Sequence, residues 1–399
     1  MPTESTKKKD ADRPRTIMIT GSKDYPAFSS KRIVSGGMEV MVTEYSKHIP
    51  GGYRFAVLAG RGGLPEFEDR GQVVVYRLPI LGSGRMQPFS LFIASLFKAL
   101  AIHKSIDCCL PQTALAALPA LALKALFGIP YIVYTHSFNA EVSHVGNRFF
   151  AFLYCLAERL TFRFADGLIT AGELLKDYVV RRYRLPEGKL AVIHSGVRIP
   201  DESPVDQRVF EEYGIKPADF VVLYLGRLIE ENGLFDLVDA VLMLREQGRR
   251  LKCLVAGNGD LEHAIRRRIR QSDAEDTIKL VGVIRDETKD NMLRRCDLLA
   301  RTSYHEVFPV VYLEAFSYGK PVVATPVGDT PAIARDSGAV RLVPTHSPGE
   351  IADAIRDLME QPEKREEMGR AGLRYAASST WSRQSEKLFK FIDRVLAGR

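Results

Sequence analysis

Short apolar runs, most followed by a glycine or polar break and then a helical pattern, recur along the whole of this 399-residue chain. The runs at 16–20, 55–58, 73–76, 129–135 and 167–170 form one series, and those at 220–225, 252–256, 278–281, 298–302 and 321–324 form a second. Runs rich in Val and Ile that alternate with helices indicate parallel strands covered on both faces, because each crossover lays a helix on the sheet. The chain is too long for one ordinary core, so two series of similar length indicate two doubly wound α/β domains. The polar stretch 199–206 is the expected linker. The expected organisation is a basic tail over 1–15, one Rossmann-like domain over 16–200, a second over 201–378, and a final helix over 379–399. Ligands bind outside the carboxyl ends of such strands, so the expected active site is the cleft between the domains.

Charge separates the two halves. Residues 1–200 hold 26 Lys and Arg against 16 Asp and Glu, and the remainder holds 30 against 33. The positive excess of the first half calls for an anionic partner: a membrane surface, a lipid phosphate or nucleic acid. No basic helix carries interleaved stacking aromatics, which excludes nucleic acid. The segments 149–164, with Arg148, Arg159 and Arg163, and 89–102 are amphipathic. Each reads either as a core helix with solvated arginines or as a surface for an anionic membrane. The cysteines (Cys108, Cys109, Cys155, Cys253 and Cys296) are odd in number and lack C-x-x-C spacing, so buried reduced thiols are expected. Residues 1–15 show no apolar signal-peptide core and no run of 18 apolar residues occurs. The expected location is the cytoplasm, peripheral on the inner face of the membrane.

Chemistry concentrates where the runs end. Glu306 and Glu314 stand eight positions apart, after the run 297–302 and around a helix expected to start at Pro309 and stop at Gly319. A carboxylate cannot bind phosphate but accepts hydrogen bonds from sugar hydroxyls, while the amides of Phe308, Val310 and Val311 can meet an anion. Hydroxyl acceptors beside an anion site point to a sugar nucleotide. Gly36-Gly37 precedes a helix and allows close backbone approach. His136 follows an apolar strand. Arg227 follows another, with Asn232 five positions on, and its planar fork suits a diphosphate. Gly257-Asn258-Gly259 is a further strand-to-helix turn. Taken singly, each has a plainer reading as a turn, a satisfied histidine, a surface arginine or a helix cap. Together they fall where two facing sheets would present their strand ends. Neither G-x-G-x-x-G nor a Walker A pattern is present, which sets aside a dehydrogenase and a P-loop protein.

In this order the residues resemble the retaining GT-B glycosyltransferases of family 4, from about Thr16 to the C-terminus. The most specific part is Glu306-x7-Glu314 followed by Tyr318-Gly-Lys-Pro-Val-Val-Ala-Thr325. Segment 189–197 resembles the motif that ends the family's N-terminal domain, and the helix from Trp381 resembles its last helix, which crosses back; the resemblance makes 16–200 the acceptor-binding domain and 201–378 the sugar-nucleotide donor-binding domain. The resemblance implies that Glu306 holds the donor sugar's hydroxyls, with Phe308, Pro309 and Val310 on the sugar and diphosphate. It gives Glu314 the ribose diol, Arg227 the leaving diphosphate, Gly37 the phosphates, His136 a place near the reacting sugar, and Ile284 the base. The implied donor is a UDP- or GDP-linked hexose and the acceptor a glycan or lipid-linked molecule, with no cofactor or metal required. No D-x-D stands at a strand end. Three departures accompany the match. Asn232 stands where the family usually has a second diphosphate-binding lysine, so another cation substitutes (Lys320 or Arg285), the donor differs, or activity is low. Residues 194–198 read His-Ser-Gly-Val-Arg where Pro-Asn-Gly-Val-Asp is common. The run 107–112 lacks the family's histidines. A non-catalytic sugar-nucleotide-binding relative and a GT-B epimerase remain as alternatives.

Overall fold

The computed structural model describes residues 13–27, 37–80, 87–136, 148–201, 203–284 and 286–398. It contains two compact units, one of residues 1–195 with 381–399 and one of residues 196–380.

The first unit begins with β1 (Arg15–Thr20), α1 (Gly37–Ser46), β2 (Tyr53–Gly60), β3 (Phe67–Asp69), β4 (Val73–Leu78) and α2 (Gln87–Ile102). It continues with β5 (Cys108–Pro111), α3 (Leu118–Phe127), β6 (Ile132–Thr135), α4 (Arg148–Phe164), β7 (Gly167–Thr170), α5 (Glu173–Tyr183) and β8 (Leu190–Val192). The strand orders are β3-β4-β2-β1-β5 and β6-β7-β8, and a bridge between Cys109 and Tyr131 joins the two edges. Only the β3–β4 hairpin is antiparallel among these pairings.

The second unit runs β9 (Phe220–Leu225), α6 (Leu234–Glu246), β10 (Leu251–Ala256), α7 (Glu262–Gln271), β11 (Ile278–Gly282), α8 (Asp286–Arg295) and β12 (Leu298–Arg301). Then come α9 (Val310–Ser317), β13 (Val322–Ala324), α10 (Thr330–Ser337), β14 (Val340–Leu342), α11 (Pro348–Glu360) and α12 (Pro362–Ser378). The last helix, α13 (Trp381–Ala397), returns to the first unit. There Trp381 meets Tyr45 edge-on at 5.5 Å and Phe389 stacks on Phe55 at 5.8 Å.

The second sheet is wholly parallel, in the order β11-β10-β9-β12-β13-β14. Its central strand shows why the run 220–225 is apolar throughout. Phe220, Val222 and Tyr224 pack on one face beneath α6 and α11, and Val221, Leu223 and Leu225 pack on the other beneath α8, α9 and α12. A residue with a helix on either side of its sheet has no solvent face to which a polar side chain could turn. The strand order reverses between β9 and β12, which opens a crevice at their carboxyl ends.

Two details depart from the sequence expectations. The stretch 199–206 lies inside the second unit, where Arg294 donates to the Asp201 carbonyl at 2.7 Å and Asn291 Oδ1 accepts from the Asp206 amide at 2.8 Å. Its polar composition reflects these anchors rather than a free linker. Helix α9 starts at Val310, with Pro309 as its extended cap, and stops at Ser317. The five cysteines are free; Cys155 is partly buried and the others are buried. Burial pushes the Cys253 and Cys296 thiols up to about 12. No helix among the described residues is long and apolar enough to cross a membrane.

Candidate active site

The reversal between β9 and β12 assembles a site from two loops. After β9 the chain turns through Gly226 and Arg227 into a 3-10 turn at Glu230–Asn232, then enters α6. After β12 it runs through Thr302–Pro309 into α9. Hydrogen bonds tie these loops together: the Tyr304 amide donates to the Glu231 carbonyl and the Thr302 hydroxyl to the Gly233 carbonyl, each at 2.8 Å. The Thr325 hydroxyl donates to the Ser303 carbonyl from the end of β13. Gly328, at φ +57°, presses from behind; a Cβ there would lie 2.3 Å from the Glu306 carbonyl oxygen. The Asp329 amide then donates to the Val307 carbonyl at 3.0 Å. The backbone under Glu306 is therefore held on both sides.

The side chains converge on an arginine that no sequence motif singled out. Arg301 ends β12 and is 8% exposed. Its Nη2 donates to Asn232 Oδ1 at 2.9 Å and Glu306 Oε2 at 3.2 Å, and its Nη1 to the Tyr224 hydroxyl at 3.2 Å. The Glu306 Oε1 accepts from the Val307 amide at 3.2 Å. Asn232 is buried and donates from Nδ2 to the Arg227 carbonyl at 2.7 Å. Arg227 itself is exposed, and its guanidinium has no hydrogen-bond or ion-pair partner among the described residues. The one sequence signal for Arg301 was a charge closing the otherwise apolar run Leu298-Leu-Ala.

One turn into α9, Glu314 accepts from Lys289 of α8 at 2.8 Å. Phe308 and Ile284 are partly buried against the core, Pro309 is buried, and Val310 opens the helix. First-turn amides such as those of Val310 and Val311 have no intrahelical acceptor. Lys320 is not part of this cluster. It precedes β13 and acts electrostatically on Cys296, just before β12, so it lies at the amino ends of the parallel strands. Arg285 lies outside the described residues.

Gly37 and His136 belong to the first unit. Gly37 opens α1, and a Cβ there would meet nothing within 4 Å among the described residues. Ser35, Gly36 and Ser137 lie outside the described residues. His136 follows β6 and stacks on Tyr134 at 4.5 Å. Its Nε2 lies 3.1 Å from Gln112 Oε1, and Gln112 Nε2 donates to the Leu110 carbonyl at 3.0 Å. That second bond fixes the amide's orientation, so Oε1 accepts, Nε2 of the imidazole carries the proton and Nδ1 is left as an acceptor. Burial lowers the His136 pKa to about 4, so the ring is neutral near pH 7. Gln112, from the run that lacks the family's histidines, therefore has a definite task in orienting His136.

Comparison with known proteins bears on the family and the fold. The family model described as Glycosyltransferase Family 4 matches residues 35–199, and that described as Glycosyl transferases group 1 matches residues 205–374. D-inositol 3-phosphate glycosyltransferase 2 of Catenulispora acidiphila is 29% identical over 228 residues, which covers 55% of this chain and 53% of that protein. The chain thus spans about half the length of the first curated relatives it matches. Among solved structures, sucrose-phosphate synthase from Thermosynechococcus elongatus superposes with a TM-score of 0.79 at 18% identity, covering 96% of this chain and 100% of that one. Anabaena Alr3699/HepE in complex with UDP-glucose gives a TM-score of 0.73 at 18% identity, over 95% and 99% of the two chains. With one family model on each half and fold matches along nearly its whole length, the chain belongs to the group 1 glycosyltransferases and has the GT-B fold.

Proposed function

We propose that this chain is a retaining glycosyltransferase that moves a hexose from a UDP- or GDP-linked donor to a glycan or lipid-linked acceptor without a metal. The observation that carries the reading is the convergence of Glu306, Asn232 and the first turn of α9 at the reversal of strand order, beside the exposed Arg227. Glu306 accepts from the sugar hydroxyls and Glu314, on exchanging Lys289, from the ribose diol. Phe308, Pro309 and Val310 bring backbone to the sugar and phosphates, and Ile284 flanks the base. In the transition state the nucleoside diphosphate departs and its negative charge grows. Arg227 and the α9 amides stabilise that growing charge more than the ground state, which is what lowers the barrier. In the first unit, Gly37 offers close backbone approach and the neutral His136 an acceptor nitrogen for the reacting sugar. The UDP-glucose complex of the structurally similar HepE supports a nucleotide-sugar donor.

The first unit supports a membrane-linked acceptor. Along α4, Phe152, Leu156, Leu160 and Phe164 recur every four residues and are 39–64% exposed, with Arg159 and Arg163 exposed beside them. Leu126 and Phe127 of α3 and Ile93 and Phe97 of α2 are exposed as well. An apolar stripe flanked by arginines binds anionic bilayers by area and charge together. The test is a transfer assay with UDP- and GDP-hexoses in which the product's anomeric configuration is read by NMR, with and without chelator. An inverted product would overturn retention, and abolition by chelator would overturn metal independence.

A further inference from the structure

Arg301 is the least expected residue of the second unit. It closes a strand whose other three residues, Leu298, Leu299 and Ala300, are fully buried and apolar. Replacing a buried ion pair by apolar groups is often neutral or stabilising, so stability alone does not explain a guanidinium here. Its setting is built to hold it. Gly226 leaves the space it fills, since a Cβ at Gly226 would lie 2.1 Å from Nη1. Four acceptors from β9, the following loop and the β12–α9 loop surround the two terminal nitrogens, while the buried Nε has no partner.

The partners show what the charge does. Glu306 brings a negative charge to a site that has to admit a diphosphate, and Arg301 neutralises it through Oε2. Asn232 is bonded to Arg301 through Oδ1 and to the Arg227 carbonyl through Nδ2, so it couples the two arginine-bearing strand ends. Asn232 Oδ1 lies 2.9 Å from Arg301 Nη2, so a lysine at position 232 would bring a second cation close to the first, where like charges repel. The two positions therefore accommodate one cation between them.

Resting on the donor reading above, we propose that Arg301 is the positioning residue that supplies the fixed positive charge of the diphosphate subsite. Asn232 and Glu306 hold it, and Arg227 is left free for the leaving phosphate. The charge absent from position 232 is carried on the neighbouring strand.

A charge-relocation series tests this. The full chain is titrated calorimetrically with UDP and GDP, and with uridine and guanosine as phosphate-free controls. Arg301→Met is expected to weaken diphosphate binding at least about tenfold with no matching change for the nucleoside. Adding Asn232→Lys to Arg301→Met should restore affinity to within about threefold of the wild type, and Arg301→Lys should stay within the same range. A merely structural arginine would show neither the dependence on phosphate nor the rescue. Should Arg301→Met fail to fold, Arg301→Lys and the double variant still decide the matter. Wild-type affinity in Arg301→Met, or loss in both the double variant and Arg301→Lys, overturns the proposal. If the wild type binds neither diphosphate, the donor reading falls with it; if it binds one and Arg301→Met binds it equally, only the role of Arg301 falls.

Discussion

Removing the charge of Glu306 separates its ion pair with Arg301 from the sugar-binding role proposed for it. Its Oε2 lies 3.2 Å from Arg301 Nη2, with side-chain exposures of 22% and 9%. At an effective dielectric of 20 that separation corresponds to a gross attraction of about 5 kcal/mol. Desolvation of both ions and the partial exposure of Glu306 offset most of it. Glu306→Gln keeps an acceptor for Arg301 and loses the charge, so it should cost about 1–3 kcal/mol of stability. Glu306→Ala leaves the buried guanidinium without a counter-charge or acceptor at that position, and should cost about 3–5 kcal/mol. Urea unfolding followed by circular dichroism measures both. The functional consequence differs in kind. A carboxylate does not hold a phosphate, so Glu306→Gln should bind the nucleoside diphosphate at least as well as the wild type. Transfer should fall at least about a hundredfold, the scale of losing one group that acts on the transition state. If both variants unfold at the wild-type midpoint, Arg301 does not depend on Glu306. If diphosphate binding and transfer fall in equal proportion, Glu306 does not act on the sugar.

Three other perturbations extend the account. Gly328→Ala should cost at least about 2 kcal/mol and impair transfer, because the new Cβ collides with the Glu306 backbone; Gly338→Ala, at a similar φ of +65° with its nearest neighbour at 3.8 Å, should cost only about 1 kcal/mol. Comparable losses in thermal melts of the two would remove the clash from the explanation. His136 is neutral in the fold, its pKa lowered from 6.5 to about 4, so the unfolded chain takes up its proton first as the solution is acidified. Its contribution is complete above about pH 6.5 and is lost as pH falls towards 4, by at most about 3 kcal/mol. Melting temperature against pH should therefore be flatter in His136→Phe, and an unchanged profile would refute the assignment. Changing Phe152 and Leu156 together to Asn should reduce co-sedimentation with anionic vesicles at least about tenfold without lowering the melting temperature, since both side chains are exposed. Unaltered co-sedimentation would detach α4 from membrane binding.

What the sequence revealed follows from which signals are local. The buried parallel strands were legible because both faces of each need apolar residues, as at 220–225. The edge strands β3, β8 and β14 carry exposed or half-exposed residues that break such a pattern, whereas the equally short β13 is buried throughout and was legible. Glu306, Glu314, Arg227 and Asn232 could be singled out because they occur in recognisable local patterns at strand ends. The role of Arg301 was hidden: its partners Tyr224 and Asn232 lie 77 and 69 positions away, and only the sheet order brings them together. The contact of Lys289 with Glu314 was hidden in the same way, since α8 and α9 are joined across an intervening strand. Lys320 stands close to Glu314 in sequence but at the opposite end of the strands, a distinction that requires knowing where β13 begins.

The central claim is that the reversal of strand order in the second unit holds a nucleoside-diphosphate sugar. Calorimetric titration of the chain with UDP- and GDP-hexoses, alongside Arg227→Ala and Glu314→Ala, tests it most directly. The account predicts one-site binding of at least one donor, weakened about tenfold or more by either substitution. No binding of any donor, or binding that both variants retain in full, would contradict it.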